Sequence, residues 1–227
     1  MGVIAPRVYY GGTFDPVHEG HLSVAREVRD ALDATVFLVP AADPPHKDIT
    51  HADAAERARM LDIAVAGEPR LKVDRRELRR EGPSYTVDTL RELRAELGPD
   101  APIVWMVGGD SLLQLHTWNR WHELFEHGHV LAVARPGAAL DPASVGALAP
   151  QVEAEIGPRR RPPEELNSAP AGGFAVFALA RERPESSTEL RRRIAAGEPW
   201  QDGVPAAVAE YIRRHALYVR GVTSASL

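Results

Sequence analysis

The chain contains no cysteine. That absence removes a disulfide framework, a thiolate nucleophile, an iron–sulfur cluster and every zinc site built on sulfur. A secretory signal is also missing: the opening MGVIAPRVYYGG is interrupted by Pro6 and Arg7 and has no basic stretch followed by an apolar run. Pro6 stands where a myristoylation signal needs Ser or Thr. No apolar run approaches the roughly 20 residues of a membrane span, so a cytoplasmic protein without a membrane partner is expected. Nor is there an excess of positive charge. Against 27 Lys+Arg stand 32 Asp+Glu, a net charge of -5, which argues against a broad nucleic-acid binder while leaving room for one local basic pocket. Two phosphate-binding signatures are absent as well: there is no G-x-G-x-x-G, and no Gly-Lys-Ser/Thr follows the first glycines.

What is present is the composition of a soluble globular protein, 44% hydrophobic and 26% charged over 227 residues, enough chain for one sizeable core. Short apolar runs alternate with helical stripes. Strands are expected at Arg7 to Tyr10, Thr35 to Val39, Leu71 to Val73, Ile103 to Val107, Val130 to Ala134 and Phe174 to Leu179. Leu22, Ala25, Val28 and Leu32 mark one helix, Ala52 to Ala66 a second, and Val87, Leu90, Leu93 and Leu97 a third, which Gly98-Pro99 ends. Trp121, Leu124 and Phe125 form a further stripe, which makes Trp121 a core residue. This alternation predicts an α/β fold: a doubly wound, mostly parallel sheet with right-handed crossovers. We expect a single domain over 1–227, with a small helical C-terminal part at about 186–219. The Gly157 to Gly173 segment, with four prolines and three consecutive arginines, reads as a solvated surface loop, since no aromatic residue interleaves its charges. Gly221 to Leu227 is expected to fray.

Chemistry concentrates first after the leading strand, in GGTFDPVHEGH (Gly11 to His21). Glycines at a strand end let the backbone approach a ligand or turn sharply. His18 and His21 lie one helical turn apart, at the start of the stripe beginning at Leu22, so both imidazoles can face one side. Unsatisfied N–H groups and the helix dipole favour an anion there. A metal reading lacks a third ligand. A second anion-receptive helix start is expected in ERPESSTELRRRI, where Ser186 and Glu189 have capping-box spacing. There the hydroxyls of Ser186, Ser187 and Thr188 lie one turn ahead of Arg191, a forked phosphate donor.

Other strings add candidates. Pro44-Pro45-His46-Lys47 follows the second strand, and Lys47 offers a point charge for phosphate while His46 is less decisive. Ser84 to Leu90, including Tyr85 and Thr86, opens a helix able to hold a small carboxylate. Trp118 offers a platform for a flat pyridine ring. Gly108-Gly109-Asp110 follows the strongest strand; Asp110 suits ribose hydroxyls or water-held Mg²⁺, or else simply caps the next helix. Arg135 is a weaker candidate for the adenine-phosphate side.

The string His18-Glu19-Gly20-His21 resembles the H-x-G-H signature of a nucleotidyltransferase superfamily. From about Arg7 to Tyr218, the chain more narrowly resembles bacterial nicotinate-nucleotide adenylyltransferase. The family's I-S-S-T-x-I-R phosphate motif appears here as Glu185-Ser186-Ser187-Thr188-Glu189-Leu190-Arg191, with Glu185 in place of isoleucine. The resemblance implies transfer of the adenylyl group of ATP to nicotinate mononucleotide, with release of pyrophosphate and with Mg²⁺ accompanying ATP as co-substrate. It assigns His18, His21, Lys47 and Arg191 to catalysis, and Gly11, Gly12, Thr13, Phe14, Gly108, Asp110, Arg135, Ser187 and Thr188 to ATP. His46, Lys47, Tyr85, Thr86 and Trp118 fall to the acceptor, and no protein metal ligand is implied. ATP and a pyridine mononucleotide are the implied partners; a homo-oligomer is compatible with the sequence. Three rivals stay open: a nicotinamide mononucleotide acceptor, a pantetheine-phosphate acceptor (whose enzymes usually carry T-x-G-H where His18 stands), and a non-catalytic nucleotide sensor.

Overall fold

A computed structural model describes residues 5–42, 51–181 and 183–219. Its centre is a six-stranded sheet of β1 (Arg7–Gly12), β2 (Thr35–Pro40), β3 (Leu71–Val73), β4 (Ile103–Gly108), β5 (His129–Ala134) and β6 (Phe174–Ala178), in the order β3-β2-β1-β4-β5-β6. Every pairing is parallel. The chain adds strands outward from β1 on one side, then returns to add β4, β5 and β6 on the other. The reversal leaves a crevice beyond the carboxyl ends of β1 and β4, where open α/β sheets place their ligands.

Both sheet faces are covered, which is why the strands read as apolar runs rather than alternating ones. Within β4, Ile103, Trp105 and Val107 pack on one face, whereas Val104 and Met106 pack on the other. Helices α1 (Glu19–Ala31) and α2 (Ala54–Val65) precede α3 (Thr86–Leu97) in the chain, and the first face receives Val87, Leu90 and Leu93 of α3. The second receives Ala25 and Val28 of α1. Each such aliphatic side chain contributes roughly 1.5–3 kcal/mol when fully buried. Asp53 caps α2 by accepting the Glu56 N–H at 2.8 Å. Gly98, at φ 86°, ends α3 in a backbone region that other residues avoid.

After β4 the chain breaks into short pieces, α4 (Gly109–Leu113) and α5 (Leu124–His127), and Trp121, Leu124 and Phe125 are all buried as their spacing predicts. Beyond β5 come α6 (Pro142–Leu148) and α7 (Pro150–Ile156), and beyond β6 come α8 (Ser187–Ala196) and α9 (Ala206–Arg214). The last two pack back on α2: Leu190, Ile194, Val208 and Ile212 share a cluster with Met60 and Leu61.

Two expectations change. Strand β1 runs on through Gly11 and Gly12, which pair with Val39 and Pro40 instead of ending the strand. The solvated loop expected at Gly157 to Gly173 is an ordered cover over the β5–β6 end. Leu166 within it is fully buried. The Arg159 guanidinium lies 4.7 Å from the Phe125 ring centre and pairs with Glu155 at 2.7 Å. Arg160 lies 5.1 Å from that of Phe174 and pairs with Glu153 at 2.6 Å. Buried His129 accepts the Gly173 N–H at 2.8 Å and faces the Ala169 carbonyl oxygen at 2.8 Å through its other ring nitrogen. Planar guanidinium groups pack on rings while their charges are met by α7 carboxylates. The aromatic partners belong to other elements, so composition within the segment gave no sign of them. The Gly221 to Leu227 end lies outside the described residues.

Replacing Leu166 with Ala should destabilise the fold by about 2–5 kcal/mol, the range for emptying a core leucine site. A urea titration at neutral pH measures it, and a change within about 0.5 kcal/mol would restore the solvated-loop reading.

Candidate active site

Helix α1 begins on its own histidines. His18 is the N-cap residue, and its Nδ1 accepts the backbone N–H of His21 at 3.3 Å. His21 Nδ1 in turn accepts the N–H of His18 at 3.3 Å. The two rings stack with centres 3.7 Å apart and planes 23° apart. This is a capping box made of imidazoles, in the place usually taken by Ser or Thr with Glu or Gln. It also selects a tautomer. Because each Nδ1 accepts, each neutral ring carries its proton on Nε2, which is left as a donor.

Gly20 is needed for this stacking: a Cβ there would lie 2.9 Å from His18 Nδ1. The His21 ring packs edge-on against Phe14, with centres 4.9 Å apart. Burial and the Arg135 and Arg183 charges push His18 down to about 4. Burial, with His18 and Arg135 nearby, holds His21 well below the ordinary imidazole range. Both rings are therefore neutral at pH 7 in the ligand-free protein. They offer N–H donors, and fixed positive charge comes from the arginines instead.

His18 and His21 line a cavity of about 340 Å³ at the carboxyl ends of the strands. Met106, Val107, Val133 and Leu179 supply its apolar surface, and Asp110, Arg135, Arg183 and Glu185 its charges. Gly108 caps α4 without a side chain, and a Cβ there would meet no protein atom within 4 Å. Asp110 sits in the first turn of α4 and is not its cap, contrary to the simple capping alternative.

The second helix start is joined to the first. Ser186 caps α8 by accepting the Glu189 N–H at 3.2 Å, as its spacing predicts. Ser187, which also lines the cavity, donates through Oγ to the Pro16 carbonyl at 3.0 Å. Arg191 donates to the Asp15 carbonyl at 2.6 Å and, more loosely, to Thr188 Oγ1 at 3.4 Å. Arg191 and Thr188 thus stand behind the cavity wall, holding α8 to the histidine loop. The Asp15 carboxylate, only 4% exposed, accepts the backbone N–H groups of His51 at 2.9 Å and Ala52 at 3.2 Å, and the Tyr218 hydroxyl at 2.8 Å.

Other predicted residues are placed as follows. Gly11 and Gly12 make room for protein: a Cβ would lie 2.5 Å from Trp105 Cζ2 at the first and 2.9 Å from the Phe14 ring at the second. Phe14 is buried, and the Thr13 carbonyl accepts from Arg57 at 2.7 Å. Tyr85 is the exposed N-cap residue of α3 and Thr86 its first residue. Trp118 is half-buried against the core rather than openly exposed. An Arg120–Asp88 ion pair ties the Trp118 segment to the start of α3. None of these three lines the histidine cavity. Thr89 is buried and donates to Glu77 at 2.8 Å, so its hydroxyl is engaged within the protein. His46 and Lys47 lie outside the described residues. Sequence reasoning passed over Asp15, Arg57, Arg183 and Tyr218. Only Arg183 carried a signal, as a cation three residues before the serine cap.

Comparison with known proteins is consistent with this geometry. The family model described as cytidylyltransferase-like matches residues 9–193. A protein of Stenotrophomonas maltophilia (strain K279a) described as "Probable nicotinate-nucleotide adenylyltransferase" is 46% identical over 93% of this chain and 96% of its own. One of Marinobacter nauticus with the same description is 46% identical over 93% and 95%. The solved structure of Plasmodium falciparum nicotinic acid mononucleotide adenylyltransferase complexed with NaAD superposes with a TM-score of 0.70 over 94% of this chain and 97% of that one. At 16% identity, that likeness speaks for the fold.

The depressed histidines make stability depend on pH. Their folded forms bind protons later than their unfolded forms, so the stability they contribute is complete above about pH 6.5. It is lost as pH falls from there toward 4, where His18 titrates. Urea midpoints should drop between pH 7 and pH 5, and drop less in a His18→Gln variant, which has no imidazole to protonate. Parallel curves for the two proteins would refute the assignment.

Proposed function

The chain belongs to the bacterial nicotinate-nucleotide adenylyltransferase family, and on that premise we propose that it joins nicotinate mononucleotide to ATP, forming nicotinate adenine dinucleotide and pyrophosphate. The observation that carries this reading is the mutually capped histidine pair, neutral and held beside Arg135 and Arg183 at the sheet's switch point.

The acceptor's phosphate is already ionised at neutral pH and needs no general base. One of its oxygens attacks the α-phosphorus of ATP in line. The new P–O bond forms as the bond to the β-phosphate's bridging oxygen breaks, and pyrophosphate leaves with that electron pair. Catalysis is then alignment of two anions and stabilisation of charge on the transferring phosphoryl oxygens. The imidazole Nε2–H groups donate to those oxygens, and their rings need no reorganisation because the helix start already holds them. Arg135 and Arg183 offset the charge of the triphosphate. Ser187 and the first turn of α8 receive the leaving pyrophosphate, with Arg191 fixing that turn against Asp15. Tyr85, Thr86 and Trp118 serve the pyridine end of the acceptor, and Lys47 supplies a charge between the two phosphates.

Mg²⁺ belongs to this reading as the companion of ATP, shielding its phosphates. In this reading the ion is held mainly by phosphates and water. Asp110, in the cavity wall, suits a water-mediated contact.

The test is pyrophosphate release from ATP and Mg²⁺ with nicotinate mononucleotide, nicotinamide mononucleotide and phosphopantetheine offered separately. Preference for the nicotinate compound is expected. Preference for another acceptor would replace the substrate, and no release with any of them would leave a nucleotide sensor. In a His18→Asn variant, which keeps a side chain able to cap a helix, kcat should fall about 10²–10³-fold, as for loss of one charge-stabilising donor. An unchanged kcat would remove His18 from the chemistry.

A further inference from the structure

Tyr10 lines the cavity beside both histidines, and the transfer chemistry leaves its hydroxyl unused. It stands on β1, which pairs with β2 on one side and with β4 on the other. Val8, Val36 and Val104 on the same face of the sheet are fully buried. Tyr10 is only half-buried, so the free surface within its reach is the cavity. Its ring is fixed there. It meets Phe14 edge-on with centres 5.5 Å apart and planes 84° apart, and His21 with centres 6.1 Å apart and planes 64° apart. The hydroxyl forms no hydrogen bond with a described residue, and it is not among the unpartnered polar atoms shut away from solvent. A phenol in such a setting usually finds a hydrogen-bond partner, and this one can find it only in what enters the cavity.

The partner's chemistry follows from the neighbours. Burial pushes the Tyr10 hydroxyl up to about 12, against a smaller pull from Arg135, so it keeps its proton at neutral pH. Arg135 is the charge that bears on Tyr10, His18 and His21 alike. Neither Asp110 nor Glu185, the carboxylates in the cavity lining, acts on the Tyr10 hydroxyl. A phenol can donate or accept, but a guanidinium and an imidazole Nε2–H only donate. A hydroxyl grouped with such donors meets an acceptor, and several donors converging on one region suit an anionic oxygen.

We propose that Tyr10 is a third neutral donor of this site, its hydroxyl bonding a phosphate oxygen of the bound nucleotide alongside the His18 and His21 Nε2–H groups. The inference rests on the reading that this cavity takes ATP, and it adds a residue that touches the substrate. Tyr10 lies eight residues ahead of His18 and inside a strand, where a motif centred on the histidines does not reach.

The experiment uses Tyr10→Phe, which keeps the ring and its contacts with Phe14 and His21 and removes only the hydroxyl. Two consequences of opposite sign are expected. Without ligand, the variant should unfold at a temperature at least as high as the wild type, because the lost hydroxyl had no protein partner. With Mg²⁺ present, calorimetry should show binding of ATP and of inorganic tripolyphosphate weakened about tenfold, the effect of losing one hydrogen bond to a charged group. Adenosine binding should stay within about twofold of the wild type. Unchanged affinity for tripolyphosphate overturns the proposal. Weaker adenosine binding with tripolyphosphate unaffected overturns it too, placing the hydroxyl on the nucleoside. A lower unfolding temperature without ligand would make the hydroxyl a structural group and overturn it as well. None of these readouts depends on turnover. Wild-type protein that binds neither ATP nor tripolyphosphate is a separate result, and it would remove the ATP reading along with this one.

Discussion

Two imidazoles satisfy each other's backbone at the start of α1, and the site depends on that exchange. A helix N-terminus has N–H groups without intrahelical partners, and His18 and His21 take up one each. In doing so they spend Nδ1 on structure and leave Nε2–H for a ligand. The same exchange brings the rings into a stack, which is possible only because position 20 has no side chain. A cap, a tautomer and a ring orientation are therefore one arrangement, and an ordinary Ser–Glu capping box would supply only the first.

Around that helix start, the fold gathers segments that are far apart in the chain. The backbone of Asp15 and Pro16 receives Arg191 and Ser187 of α8, and the Asp15 side chain receives Tyr218 and the segment ahead of α2. Residues in the C-terminal part thus hold the two helix starts together. The arginine at position 191 shows how one side chain serves two levels: the motif suggests a phosphate contact, and the folded chain shows it anchoring the helix whose first turn faces the cavity. In a protein of net charge -5, the cavity itself is balanced, with Arg135 and Arg183 set among Asp110 and Glu185 in its lining.

Much of this was legible in advance where the signal is local. Runs of three to six residues announced the strands, and three- and four-residue spacing announced α1 and α3. Trp121 was rightly read as a packing residue. Residues whose partners lie in other elements could not be read that way. The arginines of the 157–173 segment looked solvated because Phe125 and Phe174 are remote in sequence, and buried Arg57 was hidden in a helical stripe. The glycines at positions 11 and 12 invited a ligand, whereas Trp105 and Phe14 fill the space their missing side chains leave.

Periodicity, turn residues and the H-x-G-H and Ser-Ser-Thr strings by themselves determined the fold class, the family and the two helix starts at which anions are expected. These are properties of neighbours in the chain, set by backbone geometry and hydrogen-bond valence. Only the tertiary structure decided which charges share the cavity and that the histidines are neutral there. Burial, dielectric environment and the pairing of distant side chains exist only once the sheet has brought those segments together.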